Sequence, residues 1–456
     1  MKKNDVLNLE ITAVSSDGVG IGRHEGMAVF VPGSALGDTV EAVVIKVLKN
    51  YSIGKIINII TPSKDRADLS CKLFGACGGC AFCHISYEAE CSLKKGFVSS
   101  NASRIGKLSA FVDELVPSPK SLGYRNKAIY PVRLGDDGRI VAGFFKKHSH
   151  KVISGSSCTI QPEIFGRIVD SVVEFMNKTG IAPFNEETLS GVVRNVYLRS
   201  AKENAEIMLC LVVNGDFKEK NEFSQYITSK HSEIKTVVLN FNNKNTNVVL
   251  GEREEVLFGK GYIEDTLLGL KFKISPKSFY QVNKEGAEKL YSIAYGLLDP
   301  SENDLLLDLY CGTGTIGLGL AHRVKKLIGI EIVPSAIDDA RENAERNGIR
   351  NAEFICADAG KGAEMLIERG EKPSAVIIDP PRKGCDMKTI EALCEIGSQK
   401  IVMISCDSAT MARDCALLEE RGYKAEKIVP VDMFPRTHHV ESVVCLTRRL
   451  DVDMRR

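Results

Sequence analysis

The spacing of apolar and polar residues changes along the chain and predicts three structural regions. Residues 1–62 contain four short stretches rich in β-branched residues, separated by turns such as Ser15-Ser-Asp-Gly18 and Pro32-Gly-Ser-Ala35. This pattern predicts a small closed β-barrel. Residues 160–260 mix helical periodicity, as in 165–175, with strand-like runs, as in 207–213, and predict a scaffold without chemistry of its own.

From Leu305 onward, apolar strand-like runs alternate with helical segments, which is typical of a parallel sheet with helices on its faces. The first run enters a glycine turn, Cys311-Gly-Thr-Gly314. Later runs end at acidic or reactive residues, namely Glu331, Asp358, Asp379 and Cys406. Because the carboxyl ends of parallel strands meet at one edge of a sheet, we expect these side chains to line one crevice.

The glycine turn and the acid after the second run predict a nucleoside cofactor. Glycines let the backbone approach a ligand, and Glu331 can accept hydrogen bonds from two ribose hydroxyls. A dinucleotide is the alternative cofactor, and it requires the motif Gly-x-Gly-x-x-Gly to admit its pyrophosphate. Asp308, just before the turn, can meet an ammonium group. It favours S-adenosylmethionine, which has an ammonium group and no pyrophosphate.

Cys406 lies where the apolar run 401–405 gives way to a helical segment that starts near Ser408. Free N–H groups at a helix N-terminus favour a thiolate, which is the nucleophilic form of cysteine. The sequence therefore predicts a nucleophile at this position. The alternative is a structural cysteine in a buried strand.

Composition and charge narrow the class of protein. A chain of 456 residues, 44% of them hydrophobic, is too long for one core and predicts two or three domains. Fourteen cysteines, without an apolar N-terminal leader or an apolar run of membrane-spanning length, predict a soluble cytoplasmic protein with reduced thiols. The net charge is +1, so any affinity for nucleic acid must come from local basic patches.

One basic patch lies between residues 124 and 151. It contains seven Lys and Arg residues and four aromatic residues: Arg125, Lys127, Arg133, Arg139, Lys146, Lys147, Lys151, Tyr124, Tyr130, Phe144 and Phe145. Cations hold phosphates and rings stack on bases, so the patch predicts a surface for single-stranded RNA. A solvated sheet face explains the charges equally well.

Four cysteines, Cys71, Cys77, Cys80 and Cys83, lie within thirteen residues. The Cys-Gly-Gly-Cys core lets the backbone turn tightly enough for two thiolates to meet one metal centre. A zinc site and an iron–sulfur cluster both fit this spacing. The spacing decides neither the metal nor which cysteine completes a set of four.

Together these motifs resemble those of the RNA uracil-C5 methyltransferases, the 5-methyluridine family. The resemblance covers nearly the whole chain and rests on motifs in a fixed order: the TRAM-like Gly18-Val-Gly-Ile-Gly22, Cys71-x5-Cys77-Gly-Gly-Cys80, Ser278-Phe-Tyr-Gln-Val-Asn283, Asp308-Leu-Tyr-Cys-Gly-Thr-Gly314, Asp379-Pro-Pro-Arg-Lys-Gly384, Ser405-Cys406 and His439-Val-Glu441. It implies that the enzyme methylates carbon 5 of a uridine in RNA, using S-adenosylmethionine.

The resemblance also implies an α/β architecture of three domains. Residues 1–62 would form a TRAM domain, an RNA-binding barrel of the oligonucleotide-binding type. Residues 63–90 and 120–268 would form a central α+β domain that carries an iron–sulfur cluster. Residues 91–119 and 269–456 would form a Rossmann-like methyltransferase domain, so that the helix near 91–109 packs back onto the catalytic sheet.

Particular residues receive roles from the same resemblance. Cys71, Cys77, Cys80 and the distant Cys158 would hold a [4Fe–4S] cluster, which leaves Cys83 as a spare thiol. S-adenosylmethionine would be bound by Gln281, Tyr310, Glu331 and Asp379, with Asp358 close to the adenine. Cys406 would add to carbon 6 of uracil, and Glu441 would remove the proton from carbon 5. The target uridine would have to leave its stack to reach this site.

One position departs from the family pattern, in which Asn-Pro commonly follows the nucleophile. This chain has Asp407-Ser408 instead. A neighbouring carboxylate should raise the pKa of the thiol, whereas Asp407 acting as a helix N-cap would point away from the sulfur. We expect the enzyme to be active in either case.

The substrate RNA is predicted by analogy alone. The layout with a TRAM domain and a cluster resembles the 23S ribosomal RNA enzymes, and a transfer RNA uridine-54 enzyme is the alternative. Two other classes stay open: a methyltransferase acting on an exocyclic or amide nitrogen, since Asp379-Pro-Pro381 resembles the motif of those enzymes, and a non-catalytic RNA-binding iron–sulfur protein. We expect a monomer that does not associate with membranes.

Overall fold

Six short strands form the N-terminal part of the molecule in the computed structural model, which describes residues 1–69, 71–202 and 205–449. The strands are β1 Val6–Glu10, β2 Ala13–Val14, β3 Gly20–His24, β4 Met27–Val31, β5 Thr39–Val47 and β6 Tyr51–Thr61, in the sheet order β1-β5-β6-β4-β3-β2. Thr12 N donates to Ile21 O (3.0 Å), so the segment after β1 also contacts β3 and curls the sheet round. Alternate residues such as Leu7 and Leu9 fill its interior. The predicted small β-structure is present, although the first of the four predicted strands, expected over residues 7–14, is broken at Ile11 and Thr12.

Helix α1 (Tyr87–Arg104) and the two-residue strand β7 (Phe111–Val112) follow a segment that carries the clustered cysteines. The Ser86 hydroxyl caps α1 by accepting from Ala89 N (3.2 Å). Residues 70, 203–204 and 450–456, which fall within the predicted central and methyltransferase domains, lie outside the described residues. The predicted boundary at residue 91 falls inside α1.

The central part is a seven-stranded sheet with two helices. The strands are β8 Lys127–Leu134, β9 Ile140–Phe145, β10 Val152–Ser154, β11 Val193–Ala201, β12 Glu206–Val213, β13 Ile234–Phe241 and β14 Arg253–Phe258, in the order β10-β9-β8-β11-β12-β13-β14. The helices are α2 Glu163–Thr179 and α3 Lys220–Lys230. Both helices bury apolar faces on this sheet in one core, as the helical periodicity of 165–175 predicts.

The C-terminal part is built on an eight-stranded sheet. A hairpin of β15 (Ile263–Leu267) and β16 (Leu270–Ile274) precedes it. The remaining elements are α4 Lys284–Leu298, β17 Leu305–Leu309, α5 Gly317–Leu320, β18 Lys326–Glu331, α6 Pro334–Arg346, β19 Ala352–Cys356, α7 Ala359–Glu368, β20 Ala375–Ile378, α8 Met387–Ile396, β21 Lys400–Ser405, α9 Ser408–Glu419, β22 Tyr423–Val431 and β23 Glu441–Arg448. The order is β19-β18-β17-β20-β21-β23-β22-β7. The first five strands in this order run parallel to one another.

Two features of this sheet position the candidate site. Strand β23 is antiparallel and inserts between β21 and β22, which places the start of β23 at the carboxyl edge of the parallel strands. Helix α1 packs against α9, where Val98 and Met411 share a core and Asn101 Nδ2 donates to Ser408 Oγ (2.8 Å). None of the helices within the described ranges combines the length and hydropathy that a membrane crossing requires.

Candidate active site

The register of the parallel strands brings three predicted residues to one edge of the sheet. The last pairs of β17 with β18 and of β17 with β20 are level with one another. Tyr310, Glu331 and Asp379 come directly after these pairs, so they lie side by side at the carboxyl edge. These three strand ends therefore lie together, as predicted.

Cys406 and Glu441 meet at the next two strands along the same edge. Strand β21 ends in the pair Ser405–Ser442 with antiparallel β23. The following position on β21 is Cys406, and the preceding position on β23 is Glu441, so the two face each other across the strands. The thiol is half-buried, and Glu441 is only 5% exposed.

Burial makes both groups hold their protons more strongly than usual. It raises the pKa of the Cys406 thiol to about 11, and the carboxyls of Glu441 and Asp379 add to this effect. Burial, with Asp379 beside it, likewise raises the pKa of Glu441 to about 8, and burial raises that of Asp379 to about 7. The direction of this shift is opposite to the expectation that the helix N-terminus favours a thiolate.

Asp407 explains why the helix N-terminus does not serve the thiol. Its carboxylate accepts from Ala409 N (3.0 Å) and Thr410 N (2.9 Å), which makes it the N-cap of α9. The free N–H groups that would favour a thiolate are thus already used by a neighbouring carboxylate. Of the two readings of Asp407, the structure supports the N-cap.

The raised pKa of Cys406 predicts slow alkylation at neutral pH. A thiol with a pKa of about 11 is almost fully protonated there. Its labelling by iodoacetamide should rise about tenfold per pH unit between about pH 7 and pH 10. The rate is measured by mass spectrometry of the peptide that contains Cys406, with the Cys406→Ala protein as background. Labelling that levels off below about pH 8 would mean that the thiolate is stabilised after all.

The glycine turn after β17 forms the floor of the predicted cofactor crevice. Gly312 and Gly314 have φ angles of 55° and 81°, where a side chain would be strained. Gly312 N donates to Glu331 Oε2 (3.2 Å), and Val333 N donates to Glu331 Oε1 (2.9 Å). These bonds fix the carboxylate of Glu331 at the mouth of the turn.

Asp308 contributes an unpaired carboxylate oxygen to this crevice. Its Oδ2 accepts from Gly317 N (2.8 Å), but its buried Oδ1 has no hydrogen-bond partner within the described parts of the chain. Burial raises the pKa of Asp308 to about 8. An orphaned buried acceptor beside a glycine turn fits the ammonium group of S-adenosylmethionine.

The other predicted cofactor residues lie around the same crevice. Gln281 precedes α4, and its side chain and that of Thr315 lie close to the hydroxyl of the buried Tyr291. Tyr310 has a φ of 62°, an uncommon backbone conformation for a non-glycine residue, and its hydroxyl lies 3.3 Å from Thr389 Oγ1. Asp358 is the N-cap of α7, where its Oδ1 accepts from Gly360 N (3.2 Å).

Arg382 is a site residue to which sequence reasoning assigned no role. Its charge opposes the rise in the pKa of both Cys406 and Glu441, and its guanidinium lies 3.5 Å from His439 Nε2. The signal was present in the motif Asp379-Pro-Pro-Arg-Lys-Gly384, because Arg382 follows directly after the Asp379-Pro-Pro381 turn at the end of β20. Arg382 is the cation that offsets the buried carboxyls.

A cavity of about 370 Å³ brings the cysteines predicted by resemblance together. It is lined by Cys71, Cys77, Cys80 and Cys158, together with Arg125, Lys127, Thr437 and His439. Cys83 does not line it, and this thiol is buried (2% exposed) close to Cys80. Across residues 1–69, 71–202 and 205–449, no three ligating side chains gather tightly enough for a single metal ion. All four thiols line the same cavity, and four thiolates are the donor set that a [4Fe–4S] cluster takes.

Half of the aromatic residues in the basic patch are not available to stack on bases. Tyr124 and Tyr130 are buried, at 4% and 0% exposure, so the predicted role of their rings is wrong. They face the protein interior because they sit at inward positions at and before β8. Phe145 and the charged residues Lys146 and Lys147 are exposed beside the cysteine loop, residues 71–83.

Two family models and several known proteins match this chain. The family described as tRNA (Uracil-5-)-methyltransferase matches residues 245–449, and the TRAM domain matches residues 2–57. An uncharacterized RNA methyltransferase of Clostridium tetani is 39% identical over 448 residues, covering 98% of this chain and 97% of the relative. Another from Clostridium acetobutylicum is 40% identical over 453 residues, with 98% of each chain covered.

One solved structure resembles the whole molecule. It is the tRNA (uracil-54, C5)-methyltransferase of Pyrococcus abyssi in complex with S-adenosyl-L-homocysteine. The TM-score is 0.77 at 27% sequence identity, and the match covers 97% of this chain and 100% of the other.

Proposed function

We propose how this chain, which belongs to the TRAM-containing RNA uracil-C5 methyltransferases, carries out its S-adenosylmethionine-dependent reaction: Cys406 is the nucleophile and Glu441 is the general base. The observation that carries the proposal is the strand register, because the pair Ser405–Ser442 sets these two side chains opposite each other.

Carbon 5 of uracil is a poor nucleophile and has to be activated. The Cys406 sulfur forms a bond to carbon 6, and the electrons of the 5,6 double bond move towards carbon 5 and the carbonyl oxygen. The thiol proton leaves to a neighbouring carboxylate or to water. Carbon 5 then takes the methyl group that S-adenosylmethionine would supply, the bond between this methyl and the sulfonium sulfur breaks, and S-adenosylhomocysteine is left. The positive sulfonium would lower the pKa values of the carboxyls and the thiol around it.

Product release needs a base next to the adduct. Carbon 5 now carries both the methyl group and its original proton. The carboxylate of Glu441 takes that proton, the 5,6 double bond re-forms, and the carbon–sulfur bond breaks to return Cys406 as a thiolate. A pKa of about 8 makes Glu441 a stronger base than an ordinary glutamate.

The residues around the glycine turn hold the cofactor in this proposal. Glu331 would accept from the ribose hydroxyls and Asp308 would meet the ammonium group, with Gln281, Tyr310 and Asp379 lining the rest of the crevice. Asp358 would lie near the adenine. Its Oδ1 is used to cap α7, so its Oδ2 would face the cofactor.

We further propose that 23S ribosomal RNA is the substrate. The combination of a TRAM domain with a four-cysteine cavity supports it, since the ribosomal RNA enzymes share that layout. Transfer RNA is the second candidate, favoured by the likeness to the transfer RNA enzyme of Pyrococcus abyssi. Mass-spectrometric mapping of 5-methyluridine in total RNA, with and without the gene, decides between them. If removal of the gene eliminates 5-methyluridine from neither RNA, the proposed function is contradicted.

The four-cysteine cavity is proposed to hold a [4Fe–4S] cluster on Cys71, Cys77, Cys80 and Cys158. Such clusters are bound by four thiolates, and the positive charges of Arg125 and Lys127 on the cavity wall suit their negative charge. The cluster would tie the cysteine loop to the central sheet through Cys158.

This assignment predicts that Cys158→Ser and Cys83→Ser behave differently. Protein purified without oxygen should contain iron and sulfide. Cys158→Ser should lose most of both, because one of four ligands is removed. Cys83→Ser, which changes a buried thiol outside the cavity, should keep them. Colorimetric assays measure the iron and sulfide contents. If Cys83→Ser loses them and Cys158→Ser keeps them, Cys83 is the fourth ligand.

A further inference from the structure

The loop that leads into Glu441 is held from outside by several parts of the molecule. Residues 432–440 connect β22 to β23, and Glu441 is the first residue of β23. Four consecutive carbonyls of this loop accept hydrogen bonds from distant donors: Asn283 Nδ2 to Met433 O (3.0 Å), Lys94 Nζ to Phe434 O (3.2 Å), Tyr124 OH to Pro435 O (2.9 Å), and Ala81 N and Phe82 N to Arg436 O (2.8 and 3.0 Å). These donors belong to the cap of α4, to α1, to the segment entering β8 and to the cysteine loop.

Buried charges fasten the same loop to α1. Lys94 is fully buried and donates to Glu90 Oε1 (2.7 Å) and Asp432 Oδ1 (2.8 Å). Glu90 Oε1 also accepts from Arg436 N (2.7 Å), and Asp432 Oδ2 accepts from the Tyr87 hydroxyl (2.8 Å). Glu90 and Lys94, one turn apart on α1, therefore bind Arg436 and Asp432, the two ends of the 432–436 segment. Burying three charges is costly, so a network of this kind serves to specify one conformation.

Arg436 shows that this conformation is imposed. Its φ is 70°, in the left-handed region that non-glycine residues rarely adopt. Such a residue keeps its backbone angles only when its surroundings hold them. Here the amide and the carbonyl of Arg436 are both bound, by α1 and by the cysteine loop.

The hydrogen bonds next to Cys406 differ from those that hold the 432–436 segment, although α9, which follows Cys406, also packs against α1. It follows β21, and the residues next to it are held by Ser405 Oγ and by the cap of α9. None of the hydrogen bonds that anchor the 432–436 segment in the described parts of the chain comes from β21 or α9. Loss of an anchor outside α1, such as the hydroxyl of Tyr124, should consequently move Glu441 more than Cys406.

We propose that the 432–436 segment positions Glu441 for the removal of the carbon 5 proton, with Tyr124 and Lys94 as positioning residues. This inference rests on the proposed roles of Cys406 and Glu441. In the step concerned, the proton passes from carbon 5 to the Glu441 carboxylate, the 5,6 double bond forms and the carbon–sulfur bond to Cys406 breaks. Weakening an anchor slows this step more than the addition of Cys406.

The test compares Tyr124→Phe with Tyr423→Phe. Tyr124→Phe removes one hydroxyl that donates to Pro435 O and keeps the buried ring. The matched control removes a buried hydroxyl that donates to Ser398 O (2.9 Å), away from the loop. The substrate is whichever transcript the wild-type protein methylates, 23S ribosomal RNA or transfer RNA. It is made once with UTP and once with UTP deuterated at carbon 5.

Two readouts separate positioning from general stability. Tyr124→Phe should lower turnover about two- to tenfold, the range expected for one lost hydrogen bond. It should also increase the deuterium isotope effect on turnover, and more protein should remain in an RNA adduct that survives SDS. Tyr423→Phe should match the wild type in both readouts.

The outcomes distinguish this inference from the function on which it rests. If Glu441→Gln traps the adduct but Tyr124→Phe changes neither the isotope effect nor the adduct level, the positioning role is wrong and the proposed function stands. Equal loss of adduct formation and release in Tyr124→Phe also overturns the positioning role. If Glu441→Gln traps no adduct, both the proposed function and this inference fail.

Discussion

Cys406→Ala should abolish methyl transfer, with a loss on the order of 10⁴-fold or more. Without the sulfur no bond forms at carbon 6, and carbon 5 stays too poor a nucleophile to attack a sulfonium methyl. Binding of S-adenosylhomocysteine should be retained, because the cofactor crevice is formed by β17, β18 and β20. Transfer of radioactive methyl groups to RNA measures the loss.

The matched control for this prediction is Cys394→Ala. Cys394 is a buried thiol on α8, away from the carboxyl edge of the sheet. It should retain most of the activity. Substantial methylation by Cys406→Ala would instead favour a methyltransferase that acts on nitrogen, for which the Asp379-Pro-Pro381 turn suffices and no thiol is needed.

Glu441→Gln should lower turnover about 10²- to 10⁴-fold and leave protein bound covalently to methylated RNA. The amide has the shape of the carboxylate but cannot accept the carbon 5 proton. Addition of Cys406 and methyl transfer come before that step, so the adduct should accumulate. A denaturing gel with labelled RNA shows it as a species of reduced mobility.

Glu426→Gln is the control, since Glu426 lies on the neighbouring strand β22 and pairs with Lys424 at the surface. It should turn over normally. If Glu441→Gln turns over at a near-normal rate, the general base is His438 or His439 and not Glu441. His439 is poorly suited to this role, because burial and the neighbouring His438 and Arg382 lower its pKa to about 4.

The strand ends were predictable from the sequence because they depend on local pattern. Apolar runs that stop at Glu331, Asp379 and Cys406 are strands in the structure, and parallel strands put their carboxyl ends together. The glycine turn was equally visible. No tertiary information is needed for these features, since they follow from periodicity and from the chemistry of turns.

The pKa of Cys406 was not predictable in this way. It depends on Glu441, which reaches the thiol only because antiparallel β23 inserts next to β21. The helix N-terminus that the sequence offered to the thiol is occupied by Asp407. Burial and cross-strand neighbours therefore outweigh the local motif.

Tyr124 and Cys158 illustrate the same limit. Tyr124 stands among cations in the sequence, yet its ring is buried and its hydroxyl anchors the loop before Glu441. Cys158 is distant from the cysteine loop along the chain, and only the fold brings it to the cavity that Cys83 does not line. Spacing within thirteen residues could not reveal either placement.

The most direct test of the proposed chemistry is the identity of the covalent link in Glu441→Gln protein incubated with S-adenosylmethionine and RNA. Digestion with nuclease and trypsin, followed by mass spectrometry, should yield the peptide containing Cys406 joined to one methylated uridine nucleotide. An unmodified Cys406 peptide, together with RNA methylated on a nitrogen or not at all, would contradict the roles assigned to Cys406 and Glu441.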